Sequence, residues 1–309
     1  MKYSIVFPGQ GSQSIGMLSD LSSNFSIVSE IFQEASDALG VDLWKITQED
    51  QDALNLTVNT QPIMLAAGYA TYKVLSSEVE LAPEFMAGHS LGEYTALVAA
   101  ESLNFFDAVK LVRNRAELMQ SAVPSGSGSM AAILGLDDEK VVEICSQSSF
   151  HGIVEAVNFN SPGQVVIAGE KEAVSNACEA MKEAGAKRAL LLPVSVPSHC
   201  SLMTRVSEEF KNSVEDVNFK MTNTRVIHNV DAEYSIDINE IKSKLVKQMY
   251  KSVLWTSTVL KMKESGVEKL IEVGPGKVLA GLARRIDKSL SGSAIIDLAT
   301  LQSTIKEIS

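Results

Sequence analysis

The stretch "EFMAGHSLGEYTALVAA", residues 84–100, decides the fold. Five mostly apolar residues end in Gly88, a serine stands between two glycines, and a helix-forming run follows. Gly-x-Ser-x-Gly at such a junction is the pattern of a sharp strand-to-helix turn, where small neighbours let the backbone pass close by and the serine hydroxyl points out of the sheet. Ser90 is then a candidate nucleophile, and the Leu91 N–H, at the start of the new helix, can face an oxyanion. The plainer alternative is a chance match of five residues, with Ser90 a small residue in a tight turn.

Outward from this turn, short apolar runs alternate with amphipathic segments, the signature of a sheet covered by helices. Strands are expected at 3–7 ("YSIVF") and 84–88, and helices at 25–39, 60–78, 91–101 and 105–123. The small, polar, Gly-rich "VPSGSGS" at 123–129 reads as a linker. Beyond it the pattern changes. A strand at "MAAILGL", a helix at 137–148, two strands joined by Asn-Ser-Pro-Gly, a helix at 171–185 and a strand at 187–195 give the order βαββαβ of a small ferredoxin-like unit. The chain then returns to a helix at 200–215, a strand near 225–229, a helix at 237–250, and a strand, Gly-Pro-Gly turn and helix in "VEKLIEVGPGKVLAGLARRI". The expected architecture is α/β: a large hydrolase-like unit with a parallel sheet, residues 1–125 and 198–309, into which a ferredoxin-like subdomain, 126–197, is inserted.

At 309 residues and 45% hydrophobic, the chain can bury a full core. Its net charge of -11 argues against a general affinity for nucleic acid or anionic membranes, both of which need a positive field. The three cysteines, Cys145, Cys178 and Cys200, form no CxxC pair, so neither a disulfide framework nor a zinc site is expected, and a reducing cytoplasm is the natural setting. The opening "MKYSIVFPGQG" is too short an apolar run for a signal peptide, and "ALLLPVSVP" is broken by prolines, so a soluble protein is expected.

A serine at its free pKa is a poor nucleophile and requires a base, and the chain has four histidines. His89 lies inside the motif and should point away from Ser90. His151 lies in a polar loop and His228 near a strand end. His199, in "VPSHCSLM", stands where the small unit returns to the large one and a helix begins, a position that keeps an imidazole neutral. It is the candidate base, with a hydrogen-bonded structural ring as the alternative. Cys200 reads as a buried, inert thiol. No Asp or Glu after residue 200 stands in a distinctive motif to orient His199, so either a backbone carbonyl does that work or the pair acts as a dyad. "FPGQGSQ" at 7–13 fails as a phosphate loop, since Ser14 stands where a third glycine is needed. It is either a loop that offers the Gln10 backbone as a second oxyanion donor or a plain turn. Arg115 lies on the apolar stripe of its helix, with Leu111, Val112, Leu118 and Met119 at three and four residues, so its guanidinium must meet either a structural carboxylate or a substrate's. Arg113, near Lys110 and Glu117, reads as solvated surface.

Together these segments resemble a known family, the malonyl-CoA:acyl carrier protein transacylases of fatty acid synthesis. "FPGQGSQ", "GHSLGEY", the arginine of "RNRAELMQSAVP", "NFNSPGQVVIAG", "LPVSVPSHC" and "EVGPGKVL" occur in the family's order and span nearly the whole chain. The resemblance implies that Ser90 takes the malonyl group, that His199 is the base, that Gln10 and Leu91 give the oxyanion-hole N–H groups, and that Arg115 clamps the free malonyl carboxylate. It also implies that the Gln248 main-chain carbonyl holds the histidine. The implied donor is malonyl-CoA and the acceptor is the phosphopantetheine thiol of acyl carrier protein, with no metal or other cofactor and a monomeric cytoplasmic enzyme. Carrier proteins are acidic, so docking implies a local basic patch, with Arg284, Arg285, Lys288, Lys187 and Arg188 as candidates and ordinary solvated surface as the alternative reading of them. A serine hydrolase or thioesterase would use the same turn without needing Arg115, and a non-catalytic acyl-binding module would not need Ser90. Malonyl and methylmalonyl are not separated by the sequence.

Overall fold

The computed structural model describes residues 1–194 and 196–309, with the side chain of His151 excepted. Two sheets organise it. The first contains β1 (Tyr3–Phe7) and β2 (Met86–Gly88), and the second β3 (Gly128–Leu134), β4 (Val154–Ser161), β5 (Gln164–Glu170) and β6 (Arg188–Leu191). The chain then returns to the first sheet with β7 (Val226–Ile227), β8 (Lys269–Val273) and β9 (Ser291–Ile295). The first sheet has the order β7-β2-β1-β8-β9 and every pairing is parallel. Its central strands β1 and β8 are buried along their length, as a sheet covered on both faces requires, with Ser4, Lys269 and Glu272 the polar residues among their apolar ones. Helices Thr57–Glu78, Gly92–Ala99 and Phe105–Ser121 pack with Ile5, Phe7 and Ile271 on one face, while Trp255, Val259, Leu279 and Leu282 cover Val6 and Leu270 on the other.

The second sheet is antiparallel in the order β4-β5-β3-β6, with helix Asp138–Ser148 connecting β3 to β4 and helix Lys171–Glu183 connecting β5 to β6. That is the split βαβ arrangement expected from the sequence. Its edge strand β4 is tied to the larger sheet's chain: the Phe159 N–H donates to the Val253 carbonyl at 3.0 Å, and the Val253 N–H returns a bond to Val157 at 2.8 Å. The Thr256 hydroxyl adds a bond to the Phe159 carbonyl. These bonds tie the second sheet to the segment that leads into the helix Trp255–Glu264.

Several elements differ from the sequence expectation. The strand expected at 187–195 ends at Leu191, because Pro193 has no N–H to continue the ladder; Ser195 lies outside the described residues. The strand expected at 84–88 is paired as a named strand only over Met86–Gly88. The helix expected from 200 begins as a 3₁₀ turn, Ser201–Met203, and becomes α-helical at Thr204. Among the described residues no helix is long and apolar enough to cross a membrane.

Candidate active site

Ser90 sits between β2 and the helix Gly92–Ala99 with φ 52°, in the left-handed region that costs a residue bearing a β-carbon about 1–3 kcal/mol. The turn is that tight because its glycines nearly touch. A Cβ on Gly88 would lie 1.8 Å from the Gly92 carbonyl carbon, and one on Gly92 would lie 2.1 Å from the Phe7 oxygen. Asn229, just past β7, holds the strained residue in place. Its Oδ1 accepts the Ser90 N–H at 2.7 Å and its Nδ2 donates to the Gly88 carbonyl at 2.7 Å.

His199 lies just before the 3₁₀ turn Ser201–Met203, also at positive φ (66°), with its N–H bonded to the Met249 carbonyl. Its Nε2 is 2.7 Å from Ser90 Oγ and its Nδ1 is 2.6 Å from the Gln248 carbonyl oxygen. A carbonyl only accepts, so Nδ1 carries the proton and Nε2 offers its lone pair to the serine hydroxyl. The ring is buried, and burial first, then the Arg115 charge, holds its pKa down to about 3. Those two causes, rather than the helix terminus inferred from the sequence, keep it neutral. Cys200 is fully buried, donates to the Pro197 carbonyl, and has a thiol pKa pushed up to about 12 by burial.

Arg115 is 1% exposed on the helix Phe105–Ser121. Its acceptors are all neutral: Nη1 donates to Gln61 Oε1 at 2.8 Å, and Nη2 donates to Gln248 Oε1 at 3.0 Å and to Ser90 Oγ at 3.3 Å. The Tyr94 ring lies 5.4 Å from the guanidinium carbon. The structural carboxylate that the sequence left open does not meet it; two glutamine oxygens do. The nearby buried carboxylate, Glu93, is engaged elsewhere, accepting from His228 Nδ1 at 2.8 Å, the Asn229 N–H at 3.0 Å and Gln248 Nε2 at 2.8 Å. Arg113 pairs with Glu117 at 2.7 Å near the surface.

A cavity of about 140 Å³ opens over this cluster, with Ser90, His199, Arg115, Gln10 and Leu91 among its walls and Met119, Met130 and Val196 as apolar lining. Gln248 lies behind these groups. The amides of Gln10 and Leu91 donate to no other group among the described residues, while the Gln10 side chain is turned to Thr57 Oγ1 at 3.3 Å. His89 also lines the cavity, its Nε2 bonded at 2.8 Å to Asn160 of β4 rather than to Ser90. Sequence reasoning missed Gln61, Glu93, Asn160 and Asn229. Of these only Glu93, a carboxylate within the apolar helix that follows the serine, left a visible signal.

Comparison with known proteins identifies the family. Residues 4–302 match the acyl transferase domain family. A "Malonyl CoA-acyl carrier protein transacylase" of Haemophilus influenzae is 52% identical, covering 97% of this chain and 96% of that protein. One of the same name from Escherichia coli K12 is 49% identical over 99% of both. Among solved structures, an acyl carrier protein S-malonyltransferase from Vibrio cholerae superposes with a TM-score of 0.96 at 50% identity, covering 98% of this chain and 100% of that one. A malonyl-transacylase in complex with a type II PKS acyl-carrier protein superposes at 0.98 with 48% identity, covering 99% and 100%. With the serine turn, the buried imidazole beside it and nearly full-length similarity in hand, the chain belongs to the acyl transferase family, among the malonyl CoA-acyl carrier protein transacylases.

Proposed function

We propose that the protein moves a malonyl group from malonyl-CoA to the phosphopantetheine thiol of acyl carrier protein through a malonyl-Ser90 intermediate, supplying fatty acid elongation. The observation that carries this reading is a buried guanidinium with only neutral acceptors, 3.3 Å from a serine hydroxyl that is itself 2.7 Å from a neutral imidazole. His199 Nε2 takes the Ser90 proton as Oγ attacks the thioester carbonyl. The resulting oxyanion lies toward the free amides of Gln10 and Leu91, and the C–S bond breaks as the imidazolium returns its proton to the departing thiolate. The carrier thiol then gives its proton to His199, attacks the malonyl-serine carbonyl, and Ser90 regains a proton on leaving. Gln248 holds the histidine throughout. Every step is a proton transfer or an acyl transfer, so the proposal includes no metal or further cofactor.

Arg115 supplies the choice of acyl group. A malonyl carboxylate gains charge-assisted hydrogen bonds worth about 1.5–3 kcal/mol each, which an acetyl group forgoes.

The carrier is proposed to dock on exposed basic residues. Arg285 Nη1 donates to Gln164 Oε1 at 3.2 Å, Gln164 is register partner to Leu134, and Leu134 is partner to Arg188. Arg284, Arg285, Lys187, Arg188 and Lys288 are all exposed. The relative solved with a carrier protein supports a partner of this kind. We further propose that the enzyme acts as a cytoplasmic monomer, since one chain supplies every group named here, and that residues 126–197 form a unit inserted between 1–125 and 198–309.

Intact-protein mass spectrometry after mixing with malonyl-CoA, methylmalonyl-CoA and acetyl-CoA in turn tests the reading. A malonyl adduct that is lost in Ser90→Ala is expected. No adduct, or an adduct that survives that substitution, would sink it.

A further inference from the structure

Gln61, in the helix Thr57–Glu78, is 1% exposed and forms part of the cavity wall. Its Oε1 accepts from Arg115 Nη1 at 2.8 Å. This fixes the orientation of the amide, because a flipped side chain would set its NH₂ group against a guanidinium that can only donate. Nε2 is thereby turned to Met119 Sδ at 3.7 Å, a thioether and a weak acceptor. A buried NH₂ group with two hydrogens and one such partner is under-satisfied. The Arg115 side chain, which meets Gln61 through Nη1, likewise carries an Nε without a partner among the described residues. Two donors on one wall, one charged and one neutral, fit an anion with two oxygens.

We propose that Gln61 is a second recognition group for the acyl carboxylate, donating through Nε2 to one oxygen while Arg115 binds the other. It would thereby help set the preference for carboxylated over neutral acyl groups. This rests on the malonyl reading above. The same side chain has a second effect: its amide oxygen holds the guanidinium in position without neutralising it, so the cation remains available to the incoming acyl group.

The test compares acylation by malonyl-CoA and by acetyl-CoA in the parent chain, Gln61→Met and Gln61→Glu. In Gln61→Met the malonyl-to-acetyl ratio of kcat/KM should fall about 10- to 100-fold, mainly through the malonyl KM. In Gln61→Glu, whose carboxylate occupies the guanidinium, it should fall further. A role confined to packing would depress both donors together and leave the ratio in place, and that result overturns the proposal. Should Gln61→Glu fail to fold, judged by thermal melting, Gln61→Met decides alone. A parent chain that takes up no malonyl group defeats the functional reading itself, whereas a malonylated parent with an unmoved ratio in the variants defeats only the role of Gln61.

Discussion

The carbonyl oxygen of Gln248 stands 2.6 Å from His199 Nδ1, while the side-chain oxygen of the same residue stands 3.0 Å from Arg115 Nη2. One residue therefore positions both the imidazole and the guanidinium. Its Nε2 reaches the Ser90 carbonyl at 3.0 Å and Glu93 at 2.8 Å, so the turn itself is held as well. A backbone carbonyl takes the place that an aspartate fills in a Ser-His-Asp triad, which adds no negative charge beside the substrate's carboxylate.

Gln248→Ala keeps the carbonyl but removes one hydrogen bond each from Arg115, Glu93 and the Ser90 carbonyl, all of which keep other partners. Each lost bond is worth about 0.5–1.5 kcal/mol, more where a charged group takes part. A lower melting temperature is expected together with slower malonyl uptake, and the His199 ring should retain its Nδ1 proton in an imidazole NMR spectrum. A ring that changes tautomer would show that the side chain, rather than the main chain, orients the base.

Arg115→Met removes the second cause of the depressed His199 pKa and leaves burial, the first, in place. The pKa should rise from about 3 without reaching the ordinary value of 6.5. A histidine held neutral in the fold but free to charge when unfolded lowers stability as pH falls from 6.5 toward 3, since the unfolded chain binds the extra proton. The parent should therefore lose more stability over that window than Arg115→Met, as read by denaturant titration at several pH values. The same variant should lose malonyl transfer and gain transfer of neutral acyl groups. A malonyl carboxylate seated on Arg115 would likewise raise the basicity of His199 and so sharpen the base as the substrate arrives.

Reversing charge at Arg284 and Arg285 should slow the second half-reaction, transfer to the carrier, while the first half-reaction with malonyl-CoA keeps more of its rate. It should also change the dependence of transfer on salt. Stopped-flow measurement of the two half-reactions separates these effects, and unchanged transfer kinetics would remove the patch.

Glu272 on β8 is fully buried, with Oε2 accepting the Ala280 N–H at 2.8 Å and Oε1 without a partner among the described residues. Burial pushes its pKa up from 4.5 to about 6. A carboxyl raised in this way contributes fully below 4.5, and its contribution is lost as pH rises through 6. The shift corresponds to about 2 kcal/mol. Between pH 4 and pH 8, Glu272→Gln should gain roughly that much stability relative to the parent; a pH-independent difference would contradict the assignment.

Legibility in the sequence followed locality. The serine turn, the central strands and the βαββαβ order were readable because each is written within a few tens of residues, in periodicity and in glycines that only a tight turn requires. The helix Trp255–Glu264 and edge strand β9, "SGSAI", escaped, the latter because an exposed edge strand carries no run of apolar residues. Gln61 and Asn229 could not be read as site residues. An uncharged amide is unremarkable in sequence, and its meaning here comes from partners 54 and 139 positions away. His199 and Arg115 could be singled out individually, but the glutamine oxygens that receive the guanidinium are a product of the assembled fold.

Ser90 and His199 are 109 positions apart, and each is bent into a backbone shape it would abandon if its neighbours let go. The tension at Ser90 is balanced by Asn229 and at His199 by Met249, both from the last third of the chain. Reactivity should therefore be among the last properties acquired as the polypeptide assembles. In a refolding experiment, uptake of a radioactive acyl label would trail the recovery of helical circular dichroism and mark the moment when the final segment locks into place.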